Sequence, residues 1–168
     1  QRRAEARART SGALFRASEE FSASGHEDAV RQALAHRIAE TGREAVVFED
    51  GRWWSAPAGV QPPEPLAAAA ADPLAQVAPG QVEAWRLRPL RADGQALGLA
   101  AWRSTGRLHA DDDERLVDVL VDMAGAAIAR SRLSGARAEI QARERTDQLR
   151  HALLSSISHD LRTPLAAI

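Results

Sequence analysis

The stretch Ala45-Val46-Val47-Phe48-Glu49-Asp50-Gly51-Arg52-Trp53-Trp54 decides the fold. Ala45 to Phe48 is a short β-branched and aromatic run of the kind that forms strands. It ends at Glu49-Asp50-Gly51, and Arg52-Trp53-Trp54 answers it. Asp-Gly supplies the left-handed backbone that a tight hairpin turn requires, so the reading is two antiparallel strands.

Working outward, the pattern repeats further along. Trp85-Arg86-Leu87-Arg88 alternates apolar and charged residues, Ala92-Asp93-Gly94-Gln95 offers a second turn, and Leu97 to Trp102 returns as a more buried strand. Pro89 has no N–H to give to a ladder, which places it at an edge or a bulge. Between the hairpins, Pro57 to Gln81 holds six of the eight prolines and an alanine run. That composition predicts a long covering loop with one short helix at Asp72 to Val77. Connections of this length are usually lids, binding loops or disordered linkers.

Helices flank the hairpins. Arg2 to Ser24 contains no proline and places Leu14, Phe15, Ser18 and Phe21 at three- and four-residue steps. Its first nine residues carry Arg2, Arg3, Arg7 and Arg9 against Glu5; they suit an anionic surface or, more plainly, a solvated helix end. From His26 to Gly42, Val30, Ala33, Leu34 and Ile38 form an apolar stripe, with Gly42 where a helix terminates. Asp111-Asp112-Asp113-Glu114 opens the last helix, with carboxylates toward its positive dipole end and capping-box spacing between Asp111 and Glu114. Leu116, Leu120, Met123, Ala127 and Ile128 carry its apolar face. Arg130 to Arg150 is then highly charged, and Gly135 is a point where it could bend. Extended to Ile168 as one helix of about 1.5 Å per residue, the element calls for a partner helix.

Composition removes several classes of function. The 168 residues suit one ordinary domain with an appended element. No apolar stretch approaches the roughly 20 residues needed to cross a bilayer. Net charge is −1, so no global field favours nucleic acid. The absence of cysteine excludes disulfides, thiolate metal sites and thioether-linked chromophores. All 22 basic residues are Arg, a skew that points to GC-rich coding. A metal site at His109 with Asp111 to Asp113 is conceivable, but helix capping accounts for those acids and no metal is assigned. Trp53, Trp54, Trp85 and Trp102 either line an apolar pocket or pack the sheet against its helices; packing is the plainer reading.

The order helix, helix, hairpin, lid-like loop, hairpin and departing helix resembles the GAF fold, over roughly Leu14 to Arg132. Leu97-Gly98-Leu99-Ala100, then Asp111 to Leu116 and Met123-Ala124-Gly125-Ala126-Ala127-Ile128-Ala129, look like the last strand and last helix of many GAF domains. Gly125 stands where those helices commonly carry Gln. The resemblance implies an α+β fold, an antiparallel sheet with flanking helices and a ligand pocket under the loop. No motif specifies the ligand.

Ser155-Ser156-Ile157-Ser158-His159-Asp160-Leu161-Arg162-Thr163-Pro164-Leu165 closely resembles the H box of bacterial sensor histidine kinases. With Arg150 to Leu154 before it, the stretch looks most like the KdpD-type potassium-sensor kinases, which place a GAF domain just upstream. At about 100° per residue, Leu154, Ile157, Leu161, Leu165 and Ile168 share one face and His159 points away from it. The resemblance makes His159 the phosphoacceptor and Asp160 the acid that orients its ring or takes its proton. It also makes Thr163 the residue that positions a water for dephosphorylating a response regulator. Pro164 removes the amide that would bond to the Asp160 carbonyl, which predicts a kink. His151 lacks the following acid and proline and is structural; His26 and His36 are scattered, with His36 on the polar side of its helix.

The expected organisation is a linker or helix start at 1–12, a GAF domain at 13–132, a signalling helix at 133–149 and the start of the phosphoacceptor helix at 150–168. The chain opens at Gln1 and stops at Ile168 inside a helix, which reads as a piece of a longer protein. ATP would belong to the parent, because no glycine-rich nucleotide loop is present, and the piece alone would be inactive. The expected partners are a second copy through the C-terminal helices, the parent's ATP-binding domain and a response regulator, with membrane contact only through other parts of an inner-membrane parent. The competing class is a small-ligand-binding GAF module whose tail merely dimerises. A third is an interaction scaffold with a filled, unliganded core.

Overall fold

The computed structural model describes residues 2–72, 77–106 and 111–165, with backbone alone for 2–7, 111–112 and 158–165. Helices α1 (Arg2–Ala23) and α2 (Glu27–Ala39) precede strands β1 (Arg43–Glu49) and β2 (Arg52–Ala56). Helix α3 (Glu64–Ala71), strands β3 (Gly80–Val82), β4 (Trp85–Ala92) and β5 (Gln95–Ser104), and helix α4 (Asp111–Leu165) follow. The chain divides into a unit of residues 1–131 and a second of residues 132–168.

Both expected hairpins form, by the same device. Asp50 and Gly51 have φ of 48° and 75°, and Asp93 and Gly94 have 50° and 79°. Two consecutive left-handed residues make the turn whose twist matches the flanking strands. The pairings Glu49 with Arg52 and Ala92 with Gln95 close two-residue loops. β5 then pairs with β1, giving an antiparallel sheet in the order β2-β1-β5-β4-β3. Strand β3 was not expected; three residues beside Pro79 carry too little pattern to announce a strand.

A helix within the loop, not expected there, is α3 on the alanine run; of the helix expected at Asp72 to Val77, residues 73–76 lie outside the described residues. Alanine is the strongest helix former, Pro63 occupies the N-cap position and Pro65 falls in the first turn, where a missing N–H costs nothing. Pro89 pairs with Leu99 beyond the last residue that β3 covers, Leu87, and one residue before the bulge at Leu90/Arg91. It therefore sits where β4 is a free edge.

Each face of the sheet buries its own cluster. On one side, Ala45, Val47, Leu90, Ala100 and Trp102 pack with Ala17, Phe21, Val30, Leu34, Ile38, Leu116, Leu120 and Ile128 of the helices. On the other, Val46, Phe48, Trp85, Leu87, Leu99 and Ala101 pack with Leu66 and Ala70 of α3. Neighbours in β1 alternate between the clusters, as the period-two pleat requires. The α1 face is Ala13, Leu14, Ala17 and Phe21; Phe15, one residue or about 100° around from Leu14, is exposed instead.

Candidate functional site

Two places were expected to carry function: the side of the sheet under the long loop, and the H box on α4. Under the loop, α3 packs on the sheet. Leu66 is fully buried and Ala70 nearly so, both against the lid-side cluster. Trp85 is 1% exposed in that cluster, with the Arg103 guanidinium 4.9 Å from its ring centroid. Its indole Nε1 is the one buried side-chain polar atom of this cluster without a hydrogen-bond partner among the described residues. A single donor among apolar walls can orient a small acceptor-bearing ligand, yet it offers no acid or base for chemistry.

The tryptophans do not converge. Trp85 and Trp102 are buried in opposite clusters. Trp54 is half-buried between the guanidiniums of Arg31 and Arg52, at 5.2 and 5.0 Å, and Trp53 is 51% exposed on the edge strand. Packing into these clusters accounts for the burial of Trp85 and Trp102.

The helix side holds the charges that sequence reasoning missed. Arg31 of α2 is fully buried, with Glu49 at 2.7 Å, Glu27 at 3.0 Å and the Leu97 carbonyl oxygen accepting from it at 3.3 Å. Beside Val30, it looks in sequence like any surface arginine. Along α4, Glu114, Asp118 and Asp122 recur every four residues and face arginines of the sheet. Arg43 Nη2 donates to Glu114 Oε1 at 2.7 Å, Arg86 Nη1 to Glu114 Oε2 at 2.8 Å, and Arg88 pairs with Asp118 at 2.7 Å and Asp122 at 2.9 Å. Both oxygens of Glu114 are thus engaged by arginines, so its carboxylate ties α4 to β1 and β4 where capping-box spacing with Asp111 had been expected. Partial burial raises the Glu114 carboxyl, but the Arg43 hydrogen bond and charge, then the charge of Arg86, outweigh it and hold the group below its ordinary value. The acids at i, i+4 and i+8 and the arginines at i and i+2 were the available signal.

Gly125 has a packing reason. A Cβ there would stand 2.7 Å from the carbonyl oxygen of Arg91, so the missing side chain lets α4 approach the bulge in β4. Elsewhere on the helix side, an open cleft of about 770 Å³ is lined by Arg16, Arg37 and Glu40 among others. Arg37 is already paired with Glu20 at 2.6 Å and Glu40 at 3.0 Å.

In the second unit, α4 remains helical through Gly135 and through Pro164 to Leu165. Leu133, Ile140, Leu149, Leu153, Leu154 and Ile157 are all more than half exposed. His159, Asp160 and Thr163 have their backbone in this helix, but their side chains lie outside the described residues, as do those of Leu161 and Leu165. His109 lies outside them entirely. The His151 ring Nδ1 is 2.9 Å from the Asp147 carbonyl oxygen one turn earlier, a local contact on an exposed surface. His36 is exposed, as its place on the polar side of α2 required.

Among solved structures, the GAF domain of the potassium sensor histidine kinase KdpD from Escherichia coli superposes with a TM-score of 0.59, at 16% identity, over 75% of this chain and 97% of that one. The GAF domain of an Acinetobacter phosphoenolpyruvate-protein phosphotransferase gives 0.53, at 11% identity, over 76% and 97%. The fold is GAF. In sequence, the chain is 40% identical over 62 residues to the sensor protein KdpD of two Mycobacterium tuberculosis strains. That match spans 37% of this chain and 7% of the length of those relatives. No protein-family model matches the chain. Among the described residues, no helix is long and apolar enough to cross a membrane.

Proposed function

We propose that this chain is the GAF sensor and output helix of a KdpD-type sensor histidine kinase, with His159 as the phosphoacceptor. One observation carries the reading: the helix that begins against the GAF sheet at Asp111 is the same helix whose backbone includes the H box. The local identity to KdpD and the likeness to its GAF domain support it.

On this reading, organisation follows the expected boundaries: a linker or helix start at 1–12, the GAF domain at 13–132, a signalling helix at 133–149 and the phosphoacceptor helix from 150. A neutral imidazole, with an ordinary pKa of about 6.5, leaves one ring nitrogen with a free lone pair near pH 7. That nitrogen attacks the γ-phosphorus of ATP held by a separate nucleotide-binding domain. The bond to the β,γ-bridging oxygen breaks, ADP leaves, and Asp160 accepts or orients the proton on the other nitrogen. The phosphoryl group then passes to a response regulator, with Thr163 positioning the water that later hydrolyses it. A second copy pairs through the C-terminal helices, and the exposed Leu133, Ile140, Leu154 and Ile157 are the seam residues. The parent sits in the inner membrane with this part on the cytoplasmic side, in potassium or osmotic sensing. The GAF ligand is a small molecule of unassigned class.

The test is phosphorylation in trans. The chain is incubated with the parent's nucleotide-binding domain and γ-labelled ATP, and acid-labile label is measured. Label that His159→Gln abolishes and His151→Gln retains is the expected result. Label surviving His159→Gln, or none on the unmodified chain, overturns the reading and leaves a ligand-binding module with a dimerising tail.

A further inference from the structure

Arg91 stands at a junction of three elements. Its Nη1 donates to the carbonyl oxygen of Val77 at 2.9 Å, where the chain returns from the long loop toward β3. Its Nη2 donates to the Gly94 carbonyl oxygen at 2.9 Å, which fixes the guanidinium across the second hairpin turn. Its main chain is the surface on which α4 rests. A Cβ on Gly125 would meet Arg91 O at 2.7 Å and Arg91 N at 3.2 Å. The bulge between Leu90 and Arg91 is what turns this one residue toward both neighbours.

The geometry points to Arg91 as the positioning residue that couples the loop's return at Val77 to the packing of α4 at Gly125. Arg43 and Arg86 hold Glu114 of α4, and Arg88 holds Asp118 and Asp122. Interiors close-packed at glycine have no slack, so a sub-ångström shift of the Arg91 backbone must be met by a shift of α4. A change at the loop that releases or draws Val77 therefore acts on α4 through one side chain and one main-chain contact. Coupling of this kind is reciprocal, so α4 must also act on the loop. The inference rests on reading α4 as the output element.

The test is amide hydrogen exchange on the 168-residue chain, which is read without any phosphotransfer and so stands apart from the fate of His159. Arg91→Ala removes the guanidinium and leaves the Gly125 contact chemically intact. Amides of Val77, Ala78 and Gly80 and of 121–128 in α4 are expected to exchange roughly fivefold faster, the scale of one lost hydrogen bond. Arg91→Lys, which can still serve one carbonyl, should restore part of the protection in both segments together. Arg52→Ala, which removes an exposed pair with Asp28 on the far edge strand, serves as the control for general loosening. Faster exchange at 77–80 with wild-type exchange at 121–128 overturns the coupling, and so does an equal change at 121–128 in the Arg52 variant.

Discussion

Arg43 and Glu114 lie 71 residues apart in sequence and meet at 2.7 Å, the guanidinium 1% and the carboxylate 28% exposed. That pair joins the first strand to the first turn of α4. Folding lowers the Glu114 pKa, so its contribution to stability is present above the ordinary carboxylate value of 4.5 and is lost as pH falls through the lowered one. Denaturant midpoints measured from pH 7 down to pH 3 should fall more steeply in the wild type than in Glu114→Gln. Arg43→Met should cost about 1–3 kcal/mol at pH 7, because the carboxylate it abandons keeps Arg86 and some water. Parallel pH profiles for wild type and Glu114→Gln would contradict this.

Two glycines with positive φ should respond very differently to alanine. At Gly98, φ is 136° and a Cβ would stand 2.5 Å from the Phe48 carbonyl oxygen; at Gly51, φ is 75° and nothing lies within 4 Å. Gly51→Ala should lose only the left-handed backbone preference, about 1–2 kcal/mol. Gly98→Ala should lose that and more, about 3 kcal/mol or above, since backbone of two paired strands has to move. Equilibrium unfolding of both variants gives the comparison, and equal losses would show that the strand gap at Gly98 yields freely.

Leu66 is the fully buried contact of α3 with the lid-side cluster. Leu66→Ala should destabilise the domain by about 2–5 kcal/mol, less if the loop collapses onto the space. Acrylamide quenching of Trp85, measured in a background where the other tryptophans are phenylalanine, should rise. Unchanged quenching would mean that α3 does not shield that ring.

Ile140 is 56% exposed on the second unit, and its exposure is explained if a second copy covers it. Ile140→Asp places a charge in the proposed seam and should weaken self-association at least tenfold in sedimentation equilibrium, while circular dichroism retains the GAF unit. Undiminished association would move the dimer interface away from this face.

Much of the fold was legible because it rests on local rules. Asp50-Gly51 and Asp93-Gly94 demand left-handed turns wherever they stand, and the stripe Val30, Leu34, Ile38 has a single periodicity to obey. The resemblance to an H box was readable for another reason: His159, Asp160, Thr163 and Pro164 stand at set steps along one stretch, and the proposed phosphoacceptor role rests on that spacing. What pairs across the fold was not. Whether Arg31 is buried or solvated depends on Glu49 and Trp54 arriving from other elements, and whether Gly125 is a gap or a contact depends on where the β4 bulge falls. The helix on the alanine run was passed over because proline reads as a breaker until its position within the first turn is known. Local propensity and period act over a few residues and belong to the sequence by itself; burial, charge pairing and close approach are sums over distant segments, and only the tertiary structure decides them.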